Sequence, residues 1–256
     1  EHRHATILVG AQAVYLHTGS VNLGVAEYTT DADLAIDPSV LGRIPPLEEA
    51  LERRGFFVST NEVGIWRTHR TNSSNHDVDV QVDLLVPSTM SPGTGRRAAR
   101  LPGHVDTAAR KVDGLEGVLV DNSEHDLGSL EPDVDARIVR AKVAGPGALL
   151  AAKMFKIAER RGSSRSNDKD ALDVLRILQA VPTSELLRRF RSMLADARSA
   201  DSSRKALRLF DNFFGTRGSE GALMAARATQ LLLDEDEVRR TCAFLAADLI
   251  AALGLK

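Results

Sequence analysis

The chain alternates short apolar runs with polar breaks in its first half and shows helical periodicity in its second. Ile7-Leu-Val9 is a compact apolar run closed by Gly10, and the residues from Ala11 to His17 suit a helix that ends at Gly19. This predicts a strand over 5–9, a glycine turn and a short helix. Apolar and polar positions then alternate over 30–36, and strands are also predicted over 56–60, 63–69 and 78–86. Pro45-Pro46 opens and Gly55 closes a helix between them. Pro87 to Pro102 reads as a loop, and 118–120 and 137–143 as two further strands. Gly145-Pro146-Gly147 marks a break. Beyond it the spacing predicts helices over 148–161 and 166–178, a stop at Pro182, and helices over 184–197, 202–214, 220–233 and 235–253. The expected fold class is therefore α/β (α+β): a mixed sheet with flanking helices over 1–144, followed by a helical domain over 145–256. No repeat and no low-complexity segment interrupts it.

Composition narrows the class. A chain of 256 residues can bury one large core or two modest ones. No apolar run reaches the ~18 residues a membrane span needs, so no membrane partner is expected. The sequence begins at Glu1 without Met and shows no signal peptide; a soluble, cytoplasmic enzyme is the expectation. The lone Cys242 lies in Thr241-Cys-Ala-Phe-Leu245 and reads as core. The absence of cysteine clusters and of ligand-spaced histidines argues against zinc.

Net charge is −2, but it is unevenly spread. Residues 1–136 hold 11 Lys and Arg against 21 Asp and Glu, whereas residues 137–217 hold 18 against 8. An acidic half that needs a cation beside a basic helical half suits a nucleic-acid acceptor. Complementarity between the two halves is the alternative.

The acidic half holds the candidate chemistry. Asp31 and Asp33 stand two apart on a predicted strand, so their carboxylates share a face. Side by side they repel unless a positive charge sits between them. Asp83, in Val82-Asp-Leu-Leu-Val86, supplies a third carboxylate from a neighbouring strand, with Asp79 on the same strand and face as the alternative. Three such groups make an oxygen-rich pocket for Mg²⁺, a hard cation, and two ions there would activate a hydroxyl against a triphosphate. A strand, Gly10 and a helix start at Ala11 form a place where backbone N–H groups meet phosphate. Lys153 is a point charge that would suit a triphosphate. Asp170 is a general-base candidate or a partner that fixes Lys153, with Asp173 one turn away on the same face. Asp168 and Asp173 read as helix-start and structural charges. Arg96, Arg97 and Arg100 belong either to a lid over phosphate or to a plain surface loop. Trp66 reads as core packing rather than base stacking.

Val9-Gly10-Ala11, then Thr30-Asp-Ala-Asp33, then Val82-Asp-Leu-Leu85 resembles the nucleotidyltransferase superfamily with the polymerase-β-like fold. Ala11 stands where that superfamily usually has Ser, so one phosphate-contacting hydroxyl is missing. The later pattern of Lys153, Arg160-Arg161, Lys169-Asp170 and Asp173 resembles the AbiEii/AbiGii-type nucleotidyltransferase toxins, the MenT-like group included. The resemblance spans residues 5 to 178 and leaves 179–256 without a readable motif. It implies catalytic Asp31, Asp33, Asp83, Lys153 and Asp170, nucleotide contacts from Gly10, Ala11, Lys153 and Arg161, and Mg²⁺ held by the three aspartates. It further implies NTP as substrate, a tRNA 3′ end as acceptor, and the role of toxin beside a cognate antitoxin. A small-molecule transferase of the antibiotic-modifying type and a catalytically inactive nucleotide- or partner-binding module are the competing classes. Ala11 favours the inactive module; the three aspartates together with Lys153 oppose it.

Overall fold

A computed structural model describes residues 2–19, 23, 29, 31–58, 62–71, 76–91, 97–129, 132–162 and 168–254. The chain divides into two compact units. One comprises Glu1–Gln12, Thr29–Asp113 and Asn122–Ala144; the other comprises Ala13–Tyr28, Gly114–Asp121 and Gly145–Lys256. A division falls between Ala144 and Gly145, and the helical unit also takes in two short segments from earlier in the chain.

The first unit is built on an eight-stranded mixed sheet. Its strands are β1 (Thr6–Val9), β2 (Asp31–Ile36), β3 (Phe57–Val58), β4 (Ile65–Thr71), β5 (Asp77–Pro87), β6 (Arg110–Val112), β7 (Asn122–Gly128) and β8 (Ile138–Ala144). The order is β3-β4-β5-β2-β1-β8-β7, with β6 also paired to β5. β2 lies between β1, its antiparallel partner, and β5, its parallel one. Strand β5 explains the division of faces. Val78, Val80, Val82, Leu84 and Val86 alternate with Asp77, Asp79, Gln81 and Asp83, so the apolar series turns to one face and the polar series to the other. Val78 and Val80 are exposed, and from Val82 onward the apolar face is core: Ile36, Trp66, Leu84 and Val86 pack with Leu47 of helix α2 (Leu47–Glu52) and with Ala99, Leu101, Ala108 and Ala109. Trp66 is fully enclosed and its Nε1–H donates to the Ala108 carbonyl at 2.9 Å, which accounts for its polar end. Truncating such a ring to alanine typically costs about 3–5 kcal/mol.

The helical unit contains α3 (Pro146–Arg160), α4 (Asp168–Ala180), α5 (Thr183–Ala195), α6 (Ala200–Phe214), α7 (Glu220–Thr229) and α8 (Glu235–Ala252). Helix α6 shows the rule: Ser203, Ala206, Leu207, Phe210, Phe213 and Phe214 are buried, a stripe of period near 3.6 on an otherwise charged helix. Cys242 on α8 is fully buried, and burial pushes its thiol up to about 12, so it is a small core residue. Among the described residues no helix is long and apolar enough to cross a membrane.

Several local expectations need correction. Residues 116–119 form a single 3₁₀ turn, not a strand; all four are buried, and a short apolar run reads equally as either. The strand lies just after it, in β7, whose Asn-Ser-Glu-His-Asp-Leu-Gly sequence carries almost no strand signal because it is a polar edge strand. The three-residue β6 is likewise unmarked in the sequence. Residues 97–100 are not a free loop: Lys111 N–H donates to Arg97 O and Ala99 N–H to Ala109 O, and Ala98 bridges Arg110. Arg96 lies outside the described residues, as do Thr30, residues 59–60 and Ser166-Asn167 of the predicted elements. Helix α7 ends at Thr229 although Leu231 and Leu232 continue an apolar pattern; both are exposed.

Candidate active site

Register alone sets the aspartates together. Parallel pairing of β2 with β5 places Asp33 directly opposite Asp83 and Asp31 opposite Gln81. The period of two keeps Asp31 on the face that carries Asp33. Asp31, Asp33 and Asp83 each bring a carboxylate oxygen within 4.8 Å of the others. Asp83 is buried, while Asp31 and Asp33 are half-buried. Asp79 is not part of the cluster: it is an exposed residue whose Oδ1 lies 2.5 Å from His69 Nδ1. Four residues of extended chain, ~13 Å, separate it from Asp83.

Gly10 completes the local structure. Helix α1 (Gly10–Thr18) follows β1 directly, and the turn is made at Gly10, whose φ is 71°. A Cβ there would overlap the Asp33 carboxylate, so glycine is needed both for the left-handed backbone and for the approach of that side chain. Gln12 on the first turn donates from Nε2 to Asp31 O at 3.2 Å, and Thr29 Oγ1 donates to Asp31 Oδ1 at 2.6 Å. Ala11 sits between Gly10 and Gln12 and offers only its backbone.

Two residues with no sequence flag reach Asp83. Gln81 Nε2 donates to its Oδ1 at 2.9 Å, and Arg110 Nη2 donates to its Oδ2 at 2.5 Å. Gln81 was findable, since it stands two positions before Asp83 on the same strand face. Arg110 was not, because only the pairing of β6 with β5, Arg110 opposite Leu85, brings it there.

The donor set suits a hard divalent cation. All three candidate ligands are carboxylate oxygens, and an ion with ligands at about 2.0–2.1 Å holds such oxygens roughly 3–4 Å apart, which the limit of 4.8 Å between them accommodates. Asp31, Asp33 and Asp83 would hold it.

The other predicted residues lie in the helical unit and form a second cluster. Lys153 of α3 is 5% exposed. Its Nζ donates to Asp170 Oδ1 at 2.9 Å and to Asp173 Oδ2 at 2.6 Å. Asp170 also accepts from Arg160 Nη1 at 2.9 Å, with Lys156 at 3.7 Å. Burial disfavours the charge on Lys153, but Asp173 and Asp170 outweigh it and hold the ammonium above its ordinary range. Burial likewise disfavours ionised Asp170, but Lys153, Lys156 and Arg160 overcome it and hold the carboxyl below its ordinary range. A carboxylate so held accepts protons poorly, and its contacts are those of a group that fixes Lys153. Arg161 pairs with Glu220 at 2.8 Å, and Asp168 with Arg227 at 2.8 Å.

Many basic residues of 137–217 have carboxylate partners in their own unit. Arg189 donates to Asp121 Oδ1 at 2.5 Å and to Glu185 Oε1 at 2.6 Å, Arg198 pairs with Asp196 and Arg204 with Asp201. Asp121 in turn accepts from the Ala148 N–H at the start of α3, so Arg189 belongs to a buried helix cap.

No protein-family model matches the chain, and no curated protein does. Among solved structures the chain is similar to an antigenic nucleotidyltransferase-like protein from Paracoccidioides brasiliensis. The identity is 17% and the TM-score 0.41, with 78% of this chain and 84% of that chain covered. A likeness of that size is too slight to weigh in the assignment, which rests on the site.

Proposed function

We propose that the chain is a divalent-cation-dependent nucleotidyltransferase, which moves a nucleoside monophosphate from an NTP to an acceptor hydroxyl. The observation that carries this is the convergence of Asp31, Asp33 and Asp83 from adjacent parallel strands beside the turn at Gly10. Bound Mg²⁺ would neutralise triphosphate charge and activate the acceptor hydroxyl. The chain's own residues do the rest. The three aspartates bind the cation, and Gly10 lets Asp33 lie against the backbone. The first turn of α1, with its outward N–H groups and positive dipole end, faces phosphate oxygens without a side-chain hydroxyl at Ala11.

The acceptor in this reading is RNA, a tRNA 3′ end in particular, and the biological role is that of a toxin held in check by an antitoxin. The resemblance of Lys153 through Asp173 to the AbiEii/AbiGii group and the basic excess of residues 137–217 support it. The ion pairs of Arg189, Arg198 and Arg204 favour a second reading, in which those charges stabilise the helices and the acceptor is a small molecule. Incubation with Mg²⁺, each labelled NTP and total tRNA decides between them. Label on RNA that disappears with chelator and in an Asp33→Ala chain supports the first reading. Label absent from RNA and protein alike for every NTP overturns it, and transfer to a hydroxylated small molecule under the same conditions installs the second.

A further inference from the structure

Asp83 is the end point of a hydrogen-bond chain that runs across one face of the sheet. Arg67 on β4 donates from Nη2 to Glu62 Oε1 at 3.1 Å and to Gln81 Oε1 at 3.2 Å. Gln81 turns its amide nitrogen to Asp83 Oδ1 at 2.9 Å, and Arg110 closes the far side at Asp83 Oδ2, 2.5 Å away. Register makes this a built arrangement. Arg67 is the direct partner of Gln81, Gln81 of Asp31, and Asp83 of Asp33, so the whole chain occupies the face of the three aspartates. Each carboxylate oxygen has two acceptor directions, and at least one direction on each oxygen of Asp83 is filled from within the protein.

We infer that Gln81 and Arg110 are positioning residues for the cation site, which act through Asp83 in opposite senses. This rests on the nucleotidyltransferase reading above. Gln81 is neutral and fixes where Oδ1 points, so it favours cation binding by orientation alone, as outer-sphere partners of metal-binding carboxylates do. Arg110 fixes Oδ2 but also brings a positive charge to the rim of a site built for positive charge. Its side chain is 30% exposed, which screens that repulsion in part without removing it. The consequence is a site whose third carboxylate is aimed yet partly neutralised. A cation is held firmly enough to work and loosely enough to exchange with each NTP.

The two roles give opposite signs, which a merely structural role cannot do. The probe is Mn²⁺ alone, titrated into the full chain and read by the loss of the free-ion paramagnetic signal, with no nucleotide present. Gln81→Met should weaken Mn²⁺ binding by about tenfold. Arg110→Met should tighten it by about three- to tenfold, and Arg110→Lys, which keeps the charge and loses the planar fork, should return it close to the wild-type value. Both Met variants should slow transfer. Thermal melts confirm that each variant is folded. Shifts in the same direction, or none, in folded variants of a chain that does bind Mn²⁺ overturn this inference and leave the parent reading standing. A wild-type chain that binds no Mn²⁺, or an Asp33→Asn chain that binds it as tightly, overturns the parent reading and this inference with it.

Discussion

The sheet unit and the helical unit both gather aspartates, and they settle the mutual repulsion to different degrees. In the helical unit, Asp170 and Asp173 are buried, and Lys153, Lys156 and Arg160 converge on Asp170. In the sheet unit, Asp31, Asp33 and Asp83 converge on one another, and two of the three are half-buried. The first arrangement is closed by the chain's own cations. The second is met from within by Arg110 at Asp83, and its three carboxylates keep the form of a receptor for a cation from outside. An aspartate cluster is thus read from the counter-charges that surround it, and spacing in the sequence does not tell the two apart.

The comparison is broken most directly by removing one carboxylate from each cluster. Asp33→Ala should reduce transfer to roughly a hundredth or less of the wild-type rate, since a cation site supplies several kcal/mol of transition-state stabilisation. Its melting temperature should stay within a few degrees, because relief of the repulsion among the three carboxylates offsets the missing side chain. Full activity in that variant would sink the catalytic assignment. Lys153→Met should do the reverse and cost about 3–5 kcal/mol of stability, because it leaves two buried carboxylates without their shared ammonium. Denaturant unfolding measures the loss. Cation binding should be untouched, and NTP affinity measured alongside tests the nucleotide contact expected of Lys153 from the sequence.

The pH dependence sharpens the same contrast. Asp170 is held below its ordinary value of 3.8, so its contribution to stability is complete above that value and lost as pH falls through the lower folded-state value. Lys153 is held above its ordinary 10.5, so its contribution is complete below 10.5 and lost as pH rises through the folded-state value. The wild type should therefore lose stability below about pH 4 and above about pH 10.5 through this cluster. Lys153→Met should lose the alkaline limb. An alkaline limb of unchanged size in that variant would refute the assignment.

Gly10→Ala tests how tightly the sheet cluster is built. A left-handed alanine is strained, and its methyl group meets the Asp33 carboxylate. The expected cost is about 1–3 kcal/mol of stability, with cation affinity weakened at the same time. Cation affinity that survives intact would show that Asp33 does not need its place against the Gly10 backbone.

Much of this was legible in the sequence because it depends on periodicity. Alternation in 78–86 gave the strand and put Asp83 on the face of Gln81, and the i, i+2 spacing put Asp31 beside Asp33. Glycine at 10 marked the turn. What stayed hidden depends on long-range pairing. Arg110 reaches Asp83 only through β6, a strand of three residues, and Asp121 becomes a helix cap only when α3 and α5 meet it. The polar edge strand β7 had no signal because an edge strand needs no apolar face of its own. For Lys153, the sequence offered Asp170 as a general base or as the partner that fixes it, while the burial that decides between the two is a property of the packed helices.

The smallest effect separates neighbouring arginines. Arg188 and Arg189 are adjacent in sequence and would look interchangeable as contacts for RNA phosphate. Arg189 is mostly buried against Asp121 and Glu185, whereas Arg188 is 69% exposed and lies 3.8 Å from Glu185. Arg189→Gln should cost about 1–3 kcal/mol of stability, because it strips a charged partner from the buried Asp121 carboxylate. Arg188→Gln should change stability by about 0.5 kcal/mol or less, the usual size for an exposed pair. If the basic helices hold RNA, only Arg188→Gln should also lower tRNA affinity while the fold is intact. The slope of log affinity against log salt should then fall by about one unit, as it does when a single phosphate is no longer neutralised by the protein. Binding at two salt concentrations beside a thermal melt of each variant measures both quantities. If neither variant alters the salt slope and only Arg189→Gln melts early, the positive charge of this segment serves the fold, and the acceptor must be sought among small hydroxylated molecules.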